Sequence, residues 1–124
     1  MGRVRSSVRS SEVHRALGPG LLESAYEACL CRELALRGMT FERQLPVALT
    51  YKGMRVDCGY RIDVLVNEHI IVELKSVERL LPIHAAQVLT YMKLASVSAG
   101  LLVNLNVTAL RDGIRRLSLL PSPS

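Results

Sequence analysis

The stretch from Tyr60 to Ser76, YRIDVLVNEHIIVELKS, leaves few ways to fold. Ile62, Val64 and Val66 alternate with other residues, and Ile70, Val72 and Leu74 do the same after the polar Asn67-Glu68-His69. A period of two marks one face of a β-strand, so the tract predicts a hairpin whose six apolar side chains share one buried face. Pairing Val66 with Ile70 sets the register. Val64 then meets Val72, Ile62 meets Leu74, and residues 67–69 form a three-residue loop.

On the opposite face this register puts Asp63 across from Glu73, with Lys75 two residues further on. Cross-strand β-carbons lie about 5 Å apart, so two like charges are pressed together. Lys75, a divalent cation or a proton on one acid could offset the repulsion. Carboxylate oxygens are the ligands Mg²⁺ prefers, and a site with only one or two of them leaves room for water and a substrate phosphate. Lys75 beside such a site could lower the pKa of attacking water or stabilise charge developing on phosphorus. That combination suits phosphodiester hydrolysis. The plainer account is a surface ladder of ion pairs, worth little. Leu65 and Ile71 on the same face argue instead that the face is covered and the charges lie in a cleft.

The flanking sequence supplies the rest of a layered fold. A helix is predicted from about Leu21 to Arg37, with Leu22, Ala25, Tyr26, Cys29, Leu30 and Leu34 as its apolar stripe and Gly38 as its stop. Residues 41–45, 47–51 and 56–66 read as strands, with Lys52-Gly53 a turn between the second and third. Pro82 opens a helix that runs to about Ala95, and Gly100 to Leu105 is a strand apolar enough to be buried on both faces. A short helical turn and a last strand follow from Thr108 to Leu120. The order predicts an α/β fold in which helices flank a mixed β-sheet, antiparallel at first and extended after the crossover helix.

On the second helix Gln87 and Tyr91 lie four residues apart, on one face with His84, beside an apolar stripe of Ala85, Val88, Leu89 and Met92. Gln87 can position a phosphate or a water, and the Tyr91 hydroxyl can hydrogen-bond a phosphate. Packing is the alternative for Tyr91. For His84 a local hydrogen bond at the start of the helix is the favoured reading.

Length and charge narrow the setting. A chain of 124 residues holds one domain, here residues 12–120, between a basic arm at 1–11 and a polar tail at 121–124. Thirteen Arg and three Lys against eleven acids leave +5, and Arg presents a fork suited to phosphate. Aromatic residues are 4% with no Trp, which argues against holding single strands by stacking bases. No apolar run approaches the roughly 20 residues of a membrane-spanning helix, so no membrane partner is expected. Cys29, Cys31 and Cys58 lack zinc-site spacing and read as reduced, mostly buried thiols of a cytoplasmic protein.

Asp63, then Glu73-Leu74-Lys75, then Gln87-Val88-Leu89-Thr90-Tyr91 resembles the PD-(D/E)xK nuclease superfamily, and the Gln-x-x-x-Tyr element resembles its RecB-like exonuclease branch. Gly20-Leu21-Leu22-Glu23-Ser24-Ala25-Tyr26 is similar to the signature of the GxxExxY protein family. That family also shows tracts like YRIDVLV, IVELKSVE, HAAQVLTYMKL and GLLVNLNV, so the similarity runs from about Val13 to Gly113.

The resemblance implies a restriction-endonuclease-like core and a Mg²⁺- or Mn²⁺-dependent nuclease acting on DNA. Asp63, Glu73 and the backbone carbonyl of Leu74 would be metal ligands, with Glu23 completing the set. Lys75 would be the catalytic lysine, with Gln87 and Tyr91 beside it. The Pro of the superfamily's PD element is absent, Ile62 standing before Asp63. From the residues alone Glu23 is an ordinary helical acid and Tyr26 a core residue. Two other readings stay open. A non-catalytic module could keep the fold and bind nucleic acid or a protein, although it gives no reason for Asp63, Glu73 and Lys75 to occur together. A homodimer could act on duplex DNA with one site per strand.

Overall fold

Helix α1 spans Glu23–Leu36 in the computed structural model, which describes residues 23–119. The basic arm, the Gly20-Leu21-Leu22 start of the signature and the polar tail lie outside the described residues. Gly38 ends α1 as expected. At φ +71° it adopts the left-handed conformation, its N–H bonds the Ala35 carbonyl at 3.0 Å, and the Met39 N–H reaches Leu34 at 3.0 Å. These two bonds satisfy carbonyls that a helix end leaves without partners.

The buried stripe of α1 is Tyr26, Glu27, Leu30, Cys31 and Leu34. One flank of the expected stripe is therefore corrected: Ala25 and Cys29 are exposed, while Glu27 and Cys31 are covered. The Tyr26, Leu30, Leu34 row is common to both versions. Its flank is decided by polar partners that Glu27 finds on the sheet, which hydropathy does not register. Burial pushes the Cys31 thiol up to about 11, so it is unreactive, and of the two described cysteines only this one is buried.

Strand β1 is one strand from Phe41 to Tyr51, with a register shift between Val47 and Ala48, where two strands were expected on either side of Pro46. It is the edge of a five-stranded sheet in the order β1-β2-β3-β4-β5, and an edge tolerates a residue with no N–H to donate. Lys52 and Gly53, with φ of 49° and 79°, make the tight turn into β2, Met54–Val66. Strand β3, Ile70–Lys75, pairs antiparallel with β2 in the expected register, Val66 with Ile70 and Val64 with Val72. Helix α2, Pro82–Ala95, carries the chain over to β4, Ala99–Asn104, which lies parallel to β3. A short 3₁₀ turn, Leu110–Gly113, leads into β5, Ile114–Ser118, antiparallel to β4. No helix among the described residues is long and apolar enough to cross a membrane.

The helices cover opposite faces of the sheet. Tyr26, Leu30 and Leu34 of α1 pack with Val64, Val66, Ile70, Val72, Leu74, Leu101 and Val103. Val88, Tyr91 and Met92 of α2 pack with Leu65, Ile71 and Leu102. Both faces of β3 and β4 are thus dry, as the run of apolar residues in β4 requires.

Ile62 departs from the expected pattern. It sits in the α2 cluster rather than with Val64 and Val66, and the Ile62–Leu74 pairing does not form because the β2–β3 ladder stops at Val64 and Val72. At the next position side chains replace strand carbonyls as hydrogen-bond acceptors. Across from it on β1, Gln44 has φ +51°, which breaks the extended backbone there. The alternation of β2 is reset at Asp63.

Beyond the acids the chain is tied down. The Lys75 carbonyl accepts the Leu105 N–H at 2.7 Å. Buried Asn104 accepts the Val77 N–H at 3.1 Å and donates to the Val77 carbonyl at 2.9 Å. A Cβ on Gly113 would strike the Asn104 backbone carbonyl and come within 3.0 Å of Val107. Gly113→Ala is expected to cost roughly 1–3 kcal/mol, as overpacking does. Chemical denaturation reads this as a lower midpoint at unchanged slope; an unchanged midpoint would show that the loop yields freely.

Candidate active site

Where β2 and β3 stop pairing, their acids take over the hydrogen bonding. The Asp63 N–H donates to Glu73 Oε1 at 2.9 Å, and the Leu74 N–H donates to Asp63 Oδ2 at 2.8 Å. Each carboxylate is thereby held by the backbone of the facing strand and keeps a further oxygen. Gln44 Nε2 donates to Asp63 Oδ1 at 3.4 Å and to Glu27 Oε1 at 2.8 Å, and Arg43 bonds Glu27 Oε2 at 3.1 Å. The Ser76 N–H donates to Glu23 Oε1 at 2.9 Å, joining the start of α1 to the end of β3.

A cavity of about 260 Å³ opens among these groups, lined by Glu23, Ser24, Glu27, Gln44, Asp63 and Leu74. Glu73 is 3% exposed, and burial, then the Asp63 charge, push its carboxyl up to about 8. Asp63 is also pushed up, first by burial, while the Leu74 N–H opposes the shift. The half-buried Lys75 lowers both acids without cancelling the rise. The site is a pair of carboxyl groups short of positive charge.

A divalent cation fits that deficit, and an all-oxygen donor set suits a hard one. Among the described residues no three His, Cys, Asp or Glu side chains converge as a ready-made metal cluster.

Asp63, Leu74, Glu73 and Lys75 lie together at the fork of the two strands, and Glu23 faces the same cavity from α1. Gln87 and Tyr91 lie next door, lining a second cavity with His84. The Tyr91 hydroxyl is raised by burial, then by Glu73, and lowered by its hydrogen bond to Gln87. His84 Nδ1 accepts the Leu81 N–H at 2.9 Å, the local role expected of it.

Glu27 and Gln44 were missed by sequence reasoning. A signal existed for the first: Glu27 lies four residues after Glu23, a spacing that puts both acids on one side of a helix. None existed for Gln44, whose role depends on a left-handed backbone.

No curated protein and no solved structure gives a match to this chain. A family model described as the PD-(D/E)XK nuclease superfamily matches residues 6–117. That span takes in both strands of the acid fork, the helix that covers Glu23 to Leu36 and the crossover helix after it. The match reaches all five strands of the mixed sheet and both helices that cover it, and the chain belongs to the PD-(D/E)XK nuclease superfamily.

Proposed function

We propose that the chain is a Mg²⁺- or Mn²⁺-dependent nuclease that hydrolyses phosphodiester bonds of DNA. The observation that carries this is the Asp63–Glu73 pair, with Glu73 buried, Asp63 half-buried and its charge raising Glu73, and Lys75 at the end of the strand that bears Glu73. Asp63, Glu73 and the Leu74 carbonyl are the groups that would hold the cation, with Glu23 across the cavity. The cation would supply positive charge that draws in phosphate and makes water easier to ionise.

The protein's own groups do the rest. Lys75 is a fixed positive charge beside the acids, suited to stabilising charge that grows on phosphorus. Gln44 is a positioning residue: it donates to Glu27, which Arg43 pins in turn, and to Asp63. The Glu23-Ser24-Ala25-Tyr26 half of the signature supports placement in the GxxExxY family, with Glu23 on the cavity and Tyr26 in the core.

Purified protein is expected to cut DNA in the presence of Mg²⁺ or Mn²⁺, to stop when the cation is chelated, and to lose activity in Asp63→Asn. Cleavage of RNA alone would change the substrate. No cleavage of either, together with no heat of divalent-cation binding in calorimetry, would favour a non-catalytic module.

A further inference from the structure

Beside the acid fork, a cavity of about 370 Å³ is lined by Tyr60, Ile83, His84, Ala86, Gln87, Thr90 and Tyr91. Its size falls in the range of small-ligand pockets, about 300–1,000 Å³. Two of the chain's four tyrosines meet here, their ring centroids 5.9 Å apart and their planes at 49°. Tyr91 is buried, but Tyr60 is 49% exposed and Ile83 is 66% exposed. Neither belongs to a cluster of the core, and nothing in packing explains two large apolar residues left open at one cavity.

The chemistry of the walls selects an occupant. One wall is aromatic and the other aliphatic, which suits a flat apolar face between them. Polar groups border them: the Gln87 amide, and the His84 ring, whose Nδ1 is used by the Leu81 N–H while Nε2 has no such bond among the described residues. The Thr90 hydroxyl is spent on the Ala86 carbonyl at 3.0 Å. A flat ring with polar edges is a nucleobase. Position agrees, because Tyr60 precedes Asp63 by three residues on β2.

We propose that this cavity binds one unpaired nucleobase next to the phosphate to be cut, with Tyr60 as its stacking platform, so that the preferred substrate is single-stranded or frayed DNA. The inference rests on the nuclease reading for its phosphate, and narrows that reading to a substrate class. A paired base is stacked on its neighbours and does not reach such a pocket without being flipped out. Stacking tolerates any sequence because every base has a π-face. The aromatic-poor composition argues against a row of stacked bases along a strand, and the pocket departs from that expectation only in offering one platform for one base.

The test uses a short single-stranded oligonucleotide carrying 2-aminopurine, with the cation chelated so that nothing is cut. Anisotropy reports binding, and fluorescence quenching reports stacking of the base. Quenching is expected with the wild-type protein and with Tyr60→Phe. Tyr60→Ala is expected to lose it and to bind about fivefold more weakly, the low end of a base–aromatic stack. Ile83→Ser, on the opposite wall, is expected to weaken both signals and serves if Tyr60→Ala fails to fold. Absence of binding, binding without quenching, or equal quenching in Tyr60→Ala and Ile83→Ser overturns the pocket. DNA cut by a protein that shows no quenching leaves the nuclease reading standing and removes the pocket. Quenching by a protein that cuts nothing leaves the pocket standing and removes the nuclease reading.

Discussion

Lys75→Ala is expected to lower the rate of DNA cleavage by at least about 10²-fold, the loss typical when one charge-stabilising group is removed from a reacting centre. The fold is expected to survive. Lys75 is half-buried at the last position of β3, and its backbone carbonyl keeps the Leu105 N–H whatever the side chain. The melting midpoint should therefore move little, a surface-type change of about 0.5 kcal/mol. Cation binding separates the lysine's role from that of the acids. Lys75 lowers both Asp63 and Glu73, so it repels a cation that those acids attract. Removing it leaves Mg²⁺ affinity unchanged or higher while cleavage is lost. Cleavage at the wild-type rate in Lys75→Ala would mean that another group, or a contaminating enzyme, does the cutting. Weaker Mg²⁺ binding in that variant would mean that Lys75 shapes the cation site and does not act in the reaction.

Much of this site was legible because one local rule determined it. Alternation of apolar residues set the hairpin register from Val66–Ile70 to Val64–Val72, and just past the end of that ladder the Asp63 N–H meets the Glu73 carboxylate. The same rule failed one residue further on. Asp63 spends its N–H on a carboxylate and faces Gln44 in a left-handed conformation, so the alternation resets and Ile62 joins the other core. Functional sites interrupt regular ladders, and a pattern argument that assumes an unbroken strand ends where the chemistry begins. Glu27 was hidden for a related reason. An acid is assigned to solvent by hydropathy, yet this one is 4% exposed because Arg43 and Gln44, both on the neighbouring edge strand, satisfy its two oxygens. Partners sixteen and seventeen residues away in the chain leave no local signature.

The cation-free protein is expected to lose stability as pH rises from about 5 to 8, and Glu73 is the cause. Its carboxyl titrates near 8 in the fold against an ordinary value of 4.5, so the native state binds the proton more tightly than the unfolded chain does. The stabilisation is complete below the unfolded value and is withdrawn as pH climbs through the folded one. Asp63 is shifted in the same direction and adds to the loss. At about 1.4 kcal/mol per pKa unit, ionising Glu73 without a cation costs the fold on the order of a few kcal/mol. That is a drop in melting midpoint on the order of 10 °C for a chain of this size. Glu73→Gln cannot ionise, so its midpoint should stay flatter across the same range and exceed that of the wild type at pH 8. Adding Mg²⁺ reverses the order. It raises the wild-type midpoint most at pH 8, where the two acids are most ionised, by the mass action of a ligand that binds only the native state. It does far less for Glu73→Gln, which has lost one of the two charges. Thermal melts of the two proteins at pH 5, 6.5 and 8, with chelator or with Mg²⁺, measure all of this. A wild-type midpoint that does not fall between pH 5 and 8 with chelator would mean that Glu73 is already balanced by a neighbouring charge. The acid pair would then have no need of a cation, and the case for a metal-dependent site would fail with it.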